Sequence, residues 1–150
     1  MDRIIRCITS DGSIMAAAID STYLVATAQQ IHGTSPVATA ALGRLLAGAS
    51  LMGSMLKKEN ASVTLKINGG GPLGTVIAIA DSRGNCRGCV DHPAVQLPLK
   101  ENGKLDVGKA VGRDGIFGVM RDFGEGSPYI GQVEIKSGEI AEDITNYFAV

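Results

Sequence analysis

Two cysteines three positions apart, Cys86 and Cys89, are the first residues whose types and spacing could carry chemistry. This CxxC spacing occurs in thiol oxidoreductases and in one half of many zinc sites. The surrounding sequence is strand-like, so the two thiols should point to opposite faces of a sheet. No helix is predicted to begin at Cys86 and lower its pKa. The favoured interpretation is two small apolar strand residues. A bulge at Gly88 could turn the thiols together, so a thiol oxidoreductase stays open as an alternative.

A metal site would need more ligands than the CxxC supplies. Only Cys7, His32 and His92 could be added to the pair. His32 stands at a predicted helix end, where it can satisfy terminal carbonyls, and His92 precedes a proline in an extended segment. Neither histidine is paired with a nucleophile motif. We therefore assign no metal ligand and no catalytic residue, and expect no cofactor in this chain.

A glycine-rich stretch matches the GxGxxG pattern of dinucleotide-binding proteins. The pattern requires a helix whose N-terminus faces the pyrophosphate. Here Pro72 interrupts the loop, and a β-branched run follows where the helix should begin. The stretch is therefore predicted to be a hairpin turn. Gly69, Gly70 and Gly71 are given a structural role in it.

The element that must position the rest is a predicted helix from Ser35 to Leu56. Ser35 can cap the helix and Pro36 suits its first turn. Small residues line one side and bulky apolar residues cover the others, so the helix should be buried. Arg44 is its only charge. A buried arginine should pair with a carboxylate from another segment, so Arg44 and Pro36 are expected to be structural residues.

A membrane span is the alternative for the same run, because its length would permit one. Arg44 at mid-span costs roughly 2.5–3.5 kcal/mol on insertion scales, and much of the run is Ala, Gly and Ser. No second span exists, and strand-like sequence follows directly. We therefore predict no membrane partner.

The remaining elements are short, and most are strands. Predicted strands cover Arg3 to Thr9, Ser13 to Asp20, Ser62 to Asn68, Gly74 to Asp81, Asn85 to Asp91, Ile116 to Asp122 and Tyr129 to Lys136. Predicted helices cover Ser21 to His32, Asp106 to Val111 and Glu139 to Phe148, and Lys57-Lys58 would complement the dipole at the end of the central helix. Because hairpin turns join most strands, residues 1–150 are predicted to form one α+β domain with mostly antiparallel sheets.

The composition argues against nucleic acid as a partner and favours a reducing compartment. The net charge is −1 and the three Phe and three Tyr are the only aromatic residues, so neither a basic footprint nor a base-stacking platform for nucleic acid is present. The N-terminus lacks the apolar run of a signal peptide. An odd number of cysteines, three, fits a reducing compartment. The expected location is cytoplasmic.

The whole chain resembles the redox-regulated bacterial heat-shock chaperonins of thirty-three kilodaltons, the HslO type. The most specific segments are His32-Gly33-Thr34 with the following SPVATAALGRLLAGASLMGSMLK, INGGGPLG at 67–74, NGKLDVGKAVGRDG at 102–115 and GQVEIKSGEIAEDITNYF at 131–148. The resemblance implies a fold of crossed antiparallel sheets flanked by helices. It also implies an ATP-independent holdase that binds unfolding proteins under oxidative and heat stress and passes them to ATP-dependent foldases.

The resemblance further implies a C-terminal domain whose four cysteines hold zinc and act as a redox switch that favours active dimers. This chain ends before those cysteines, so we expect it to be an incomplete N-terminal core domain. The family commonly has an aromatic residue where this chain has Cys89. The CxxC here is therefore not the family's switch, and no zinc ligand is carried over.

The function predicted from the sequence is binding of exposed apolar segments of client proteins. The candidate contributors are Met52, Met55 and Leu56 at the end of the central helix, and Ile116, Phe117 and Met120 in a strand. A homodimer is expected, because unmatched apolar surface or a sheet edge should remain. A purely structural dimerisation module, without client binding of its own, is the third alternative.

Overall fold

The computed structural model describes all residues from 1 to 150 and shows an α+β domain with antiparallel sheets. The predicted fold class is confirmed. The elements in chain order are β1 (Arg3–Ile8), β2 (Met15–Asp20), α1 (Thr22–His32), α2 (Pro36–Ser54), β3 (Ser62–Gly70), β4 (Val76–Asp81), β5 (Cys86–Val90), α3 (Val107–Val111), β6 (Gly112–Asp122), β7 (Tyr129–Glu134) and α4 (Ala141–Ala149).

Helix α2 lies at the centre of the domain and begins as its sequence predicts. The hydroxyl of Ser35 accepts a hydrogen bond from the Ala38 N–H, and Pro36 occupies the first turn. Its most apolar 18-residue window is long and apolar enough for a membrane span, but 61% of that window is buried inside the domain. The helix packs on β3, β4 and β5 and contacts α1, α3 and α4. It is therefore the core helix of this fold.

The end of α2 differs from the prediction. The helix stops at Ser54, so Lys57 and Lys58 lie beyond its last turn. Gly53 is the reason why α2 can run so close to the sheet at this end, since a Cβ on it would meet the backbone oxygen of Asp81. The sequence predicted that these two lysines would complement the helix dipole. Because they lie outside the final turn, they do not.

Five strands form the main sheet in the order β5-β4-β3-β6-β7, and every neighbouring pair is antiparallel. Strand β4 shows that the two faces of the sheet differ in burial. Val76, Ala78 and Ala80 are buried against the helices, whereas Ile77 and Ile79 lie on the other face and remain half-buried. All of the helices that bury the sheet cover one face. Within this chain no sheet or helix packs across the opposite face, where only His32 at the end of α1 borders a cavity with Ile77 and Ile79.

Strands β1 and β2 form a separate two-stranded sheet. Asp2 ties this hairpin to α1, because its two carboxylate oxygens accept the backbone N–H groups of Tyr23 and Leu24 at 2.8 and 2.6 Å. The predicted helix included Ser21, but α1 begins at Thr22 and the Ser21 side chain makes no capping bond. The cap comes instead from a residue about twenty positions away, which spacing alone does not reveal.

Helix α4 begins later than predicted, at Ala141, because the preceding turn has its own structure. Ile140 has a positive φ of 74°. The buried Asp143 carboxylate accepts backbone N–H groups from Lys136 at 2.7 Å, Ser137 at 3.2 Å and Ile140 at 3.0 Å. These bonds hold the turn in a conformation that a β-branched residue rarely adopts.

Candidate functional site

The structure separates the two thiols of the CxxC. In β5, Cys86 pairs with the buried Ala80, whereas Cys89 pairs with Ile77 on the uncovered face. Cys86 is half-buried with its Sγ 3.5 Å from the carbonyl oxygen of Leu46, and burial raises the pKa of its thiol to about 12. Such a thiol is almost wholly protonated at neutral pH and is a poor nucleophile. The bulge that could have joined the two cysteines is absent, so nothing in the structure favours a thiol oxidoreductase.

No group of three or more His, Cys, Asp or Glu side chains in the chain could hold a metal ion. The residues present therefore do not fit the zinc that the family resemblance implies. Cys7 is exposed on β1, His92 is exposed after β5, and His32 lies in the last turn of α1. That zinc binds in another part of the full-length protein stays a prediction.

The glycine-rich stretch is the connection between β3 and β4, and the amides of its loop are hydrogen-bonded within the fold. The Gly71 N–H donates to the carbonyl of Val111 at 3.0 Å, and the Leu73 N–H donates to that of Ala110 at 3.1 Å. A strand, not a helix, follows. Gly69 packs directly against the backbone of Gly112, where no Cβ would fit, and Gly70 has a positive φ of 75°. Backbone packing against the end of α3 explains the glycines.

Arg44 finds its carboxylate partner in Glu139, at 2.8 Å. The sequence placed Arg44 in a buried helix, but its side chain is 42% exposed, because it extends outward past the edge of α2. Glu139 also binds the Lys100 ammonium at 2.8 Å and the Gly108 N–H at 3.3 Å. Partial burial would raise the pKa of Glu139, but the hydrogen bonds from Lys100 and Arg44 outweigh it and lower the pKa.

Strand β6 divides its three candidate residues between two faces. Phe117 is fully buried and packs edge to face with Tyr147, with 6.0 Å between the ring centroids. It belongs to the core and is unavailable to a partner, so its selection as a surface residue was wrong. Ile116 is 48% exposed and Met120 is half-buried, both on the uncovered side of the sheet. The alternation of side chains along a strand separates them from Phe117.

The pairing of neighbouring strands places further apolar residues beside Ile116 and Met120. Met120 lies opposite Ile130 on β7 and opposite Thr64 on β3, and Thr64 in turn lies opposite Ile79. We define the open face as the uncovered side of the main sheet. Its apolar members are Ile77, Ile79, Ile116, Met120 and Ile130, and its charged members include Lys66, Arg87 and Glu134. Ile130 is 61% exposed. The open face is thus a broad, partly apolar surface on a rigid sheet.

The candidates at the end of α2 lie at a second surface. Met55 is 41% exposed and Leu56 is half-buried, whereas Met52 is 5% exposed and mainly part of the core. We define the terminal groove as the cavity of about 460 Å³ beside them. Its lining residues are Met52, Met55, Leu56, Lys57, Lys58, Arg121, Phe123 and Phe148.

The sequence predicted two of the five apolar residues of the open face and three of the eight residues that line the terminal groove. Ile77 and Ile79 could have been found, because apolar residues at every position from Val76 to Ala80 indicate a strand that is apolar on both faces. Phe123 and Phe148 carry no such signal, since they come from the end of β6 and from α4 and meet α2 only through the tertiary fold.

Comparison of the chain with known proteins identifies its family. A family model described as Hsp33 protein matches residues 2–150. The chain belongs to the Hsp33 family. The resemblance found in the sequence is therefore confirmed.

The relatives of this Hsp33 chain extend well beyond it. The 33 kDa chaperonin of Acetivibrio thermocellus is 48% identical over 148 residues, which are 99% of this chain and 50% of that protein. That of Alkaliphilus metalliredigens is 50% identical over 146 residues, again 50% of its length. The crystal structure of the Thermotoga maritima 33 kDa chaperonin, a heat shock protein 33 homolog, matches 98% of this chain and 50% of its own, with a TM-score of 0.93 and 40% identity. This chain spans about half the length of these relatives.

Proposed function

We propose that this chain is a client-binding part of an Hsp33-type holdase, which keeps unfolding proteins from aggregating without using ATP. The open face is the observation that carries the proposal. It presents Ile116, Met120 and Ile130 to solvent on a strand arrangement that the buried side of the sheet holds rigid. Contiguous exposed apolar surface of this kind marks an interaction site in a globular protein.

The physical basis is removal of apolar surface from water, which needs no particular client sequence. A half-exposed isoleucine or methionine that a client covers contributes about 1 kcal/mol. Several such contacts on one face would give weak, reversible binding of many unfolded chains. A holdase requires this behaviour, because it must retain clients and later release them to an ATP-dependent foldase. No bond-making chemistry is needed, and we propose that the protein is not an enzyme.

Redox control and zinc belong to a different part of the proposal. They come from the family resemblance, and the three cysteines here offer no switch, since Cys86 and Cys89 point to opposite faces of their strand. We propose that a zinc-dependent switch in the remainder of the full-length protein controls access to the surfaces described above. A homodimer acting in the cytoplasm, with neither nucleic acid nor membrane as its partner, completes the proposal.

Light scattering tests the function directly. A thermolabile enzyme is heated without ATP, alone and with a several-fold excess of the chain, and we expect the chain to suppress scattering. The double variant Ile116→Ser/Met120→Ser should bind clients about thirtyfold more weakly, because two apolar contacts of about 1 kcal/mol each are lost. Circular dichroism checks that the variant is folded.

Ile14→Ser is the matched control, because Ile14 is 64% exposed but lies in the β1–β2 turn, away from the open face. It should protect as well as the unmodified chain. Absence of any suppression would contradict holdase activity of this chain. If only the full-length protein protected, the chain would be a structural module with client binding elsewhere.

A further inference from the structure

The terminal groove differs from the open face in its charge. Met55, Phe123 and Phe148 are 41%, 39% and 55% exposed and supply an apolar floor. The charged residues that line the groove are Lys57, Lys58 and Arg121, all cations, and no carboxylate lines it. An apolar floor with a cationic rim is complementary to an apolar group flanked by negative charge.

Other contacts leave most of this positive charge available. Because α2 ends at Ser54, the two lysines lie outside the last turn, where the helix dipole acts. Lys58 pairs with Glu125, but both side chains are largely exposed, so the pair is weak and easily exchanged. Arg121 stacks on the Tyr147 ring, with its guanidinium carbon 5.8 Å from the centroid, and makes no ion pair. The Lys57 ammonium forms neither a hydrogen bond nor a salt bridge, and Lys57 lines the groove.

We propose that the terminal groove binds segments of unfolded proteins in which bulky apolar side chains stand next to aspartate or glutamate. This inference rests on the proposed holdase function and names the client class that this groove prefers. The apolar side chains would cover Met55, Phe123 and Phe148, while the neighbouring carboxylates would approach Lys57 and Lys58. The open face carries charges of both signs and should show no comparable preference.

The size of the preference follows from the exposure of the rim. An exposed ion pair changes affinity by a factor of about 1.5 to 5, so two rim contacts should favour an acidic segment about fivefold over a neutral one. Salt must weaken this preference, since the Debye length falls from about 10 Å at 0.1 M to about 3 Å at 1 M ionic strength. The apolar contribution should persist.

Fluorescence anisotropy with three labelled peptides tests the proposal. All three carry the same Leu- and Phe-rich centre, flanked by glutamates, by serines or by lysines. We expect affinity to decrease in that order for the unmodified chain at 0.1 M salt, and the order to collapse at 1 M. The variant Lys57→Glu should lose most of the preference for the acidic peptide.

Lys104→Glu is the matched control, because it reverses the charge of another exposed lysine, in a turn remote from the groove lining. It should leave the preference unchanged. Equal affinity for the three peptides, or a preference that Lys57→Glu and Lys104→Glu alter equally, would overturn the proposal. Suppression of scattering without a charge preference would overturn this inference but leave the holdase function standing. Loss of both would count against the function itself.

Discussion

At the scale of single residues, Glu139 is the one carboxylate in the domain that forms salt bridges with two cations. Its carboxylate accepts hydrogen bonds from Arg44 of α2, from Lys100 and from the N–H of Gly108 in α3. These segments are far apart in the sequence, so one carboxylate fixes α2, α3 and the irregular chain between β5 and α3 relative to one another.

Replacing Glu139 by glutamine should destabilise the domain by about 1 kcal/mol, since a neutral amide cannot satisfy two cations and both of them are partly solvated. The lowered pKa of Glu139 sets the pH dependence. Its contribution is complete above the ordinary pKa of 4.5 and is lost as pH falls through the lower folded-state value. Urea unfolding of both proteins at pH 7 and below about pH 4 measures this.

Glu101→Gln is the control for that experiment, because Glu101 is exposed in a turn and makes no ion pair. We expect no change in its unfolding free energy at either pH. A difference between Glu139→Gln and the unmodified chain that stayed constant through the acid range would contradict the proposed charge effect.

At the scale of elements, the small residues of α2 determine how closely its neighbours approach. A Cβ on Gly43 would lie 2.9 Å from Val25 of α1, so α1 packs directly on the side of α2 that small residues line. On another side, Gly48 faces the end of the Ile144 side chain and Gly53 faces the backbone of β4. The helix can be central because three glycines let different elements touch its surface.

These contacts predict different outcomes for two similar substitutions. Gly53→Ala should cost about 1–3 kcal/mol of unfolding free energy, because the added methyl meets the backbone oxygen of Asp81, which cannot move away cheaply. Gly48→Ala meets only the flexible end of Ile144, at 2.6 Å, and alanine favours the helix by up to about 1 kcal/mol. Its net effect should be smaller.

Chemical denaturation of the two variants in parallel makes the comparison, and each serves as the control for the other. Equal destabilisation would show that the close approach of α2 to β4 does not limit the packing. A larger effect at Gly48 would contradict the prediction outright.

At the scale of the whole molecule, the uncovered surfaces favour association of the chain with a second copy. The main sheet ends in β5 and β7, and the β1–β2 sheet has two edges, so unpaired backbone groups accompany the apolar open face. Exposed edges and apolar patches of this kind promote pairing with a second chain.

We therefore expect a dimer whose population rises with concentration in the micromolar range, as sedimentation velocity can measure. Glu134→Lys on β7 would place a new cation on the open face and, if that face is the contact, should alter the dissociation constant, whereas Glu101→Lys should not. A chain that stays monomeric at a hundred times the client-protecting concentration would contradict the expected homodimer.

The amino-acid sequence alone determined the elements of this Hsp33 chain. The central helix, most strand positions and the hairpin turns followed from local periodicity, a Ser-Pro helix start and glycine-rich turns, because these signals act between residues a few positions apart. The tertiary structure decided which residues face a partner. Phe117 is buried in the core whereas Ile116 and Met120 are not, because the helices pack against only one face of β6.

Contacts between segments that are distant in the sequence could not be predicted from the sequence either. Arg44 and Glu139 are 95 positions apart, and the terminal groove joins the end of α2 with Phe123 and Phe148. Local propensity carries no information on which of several carboxylates or aromatic rings will meet a given helix, because that choice depends on how all the layers pack at once.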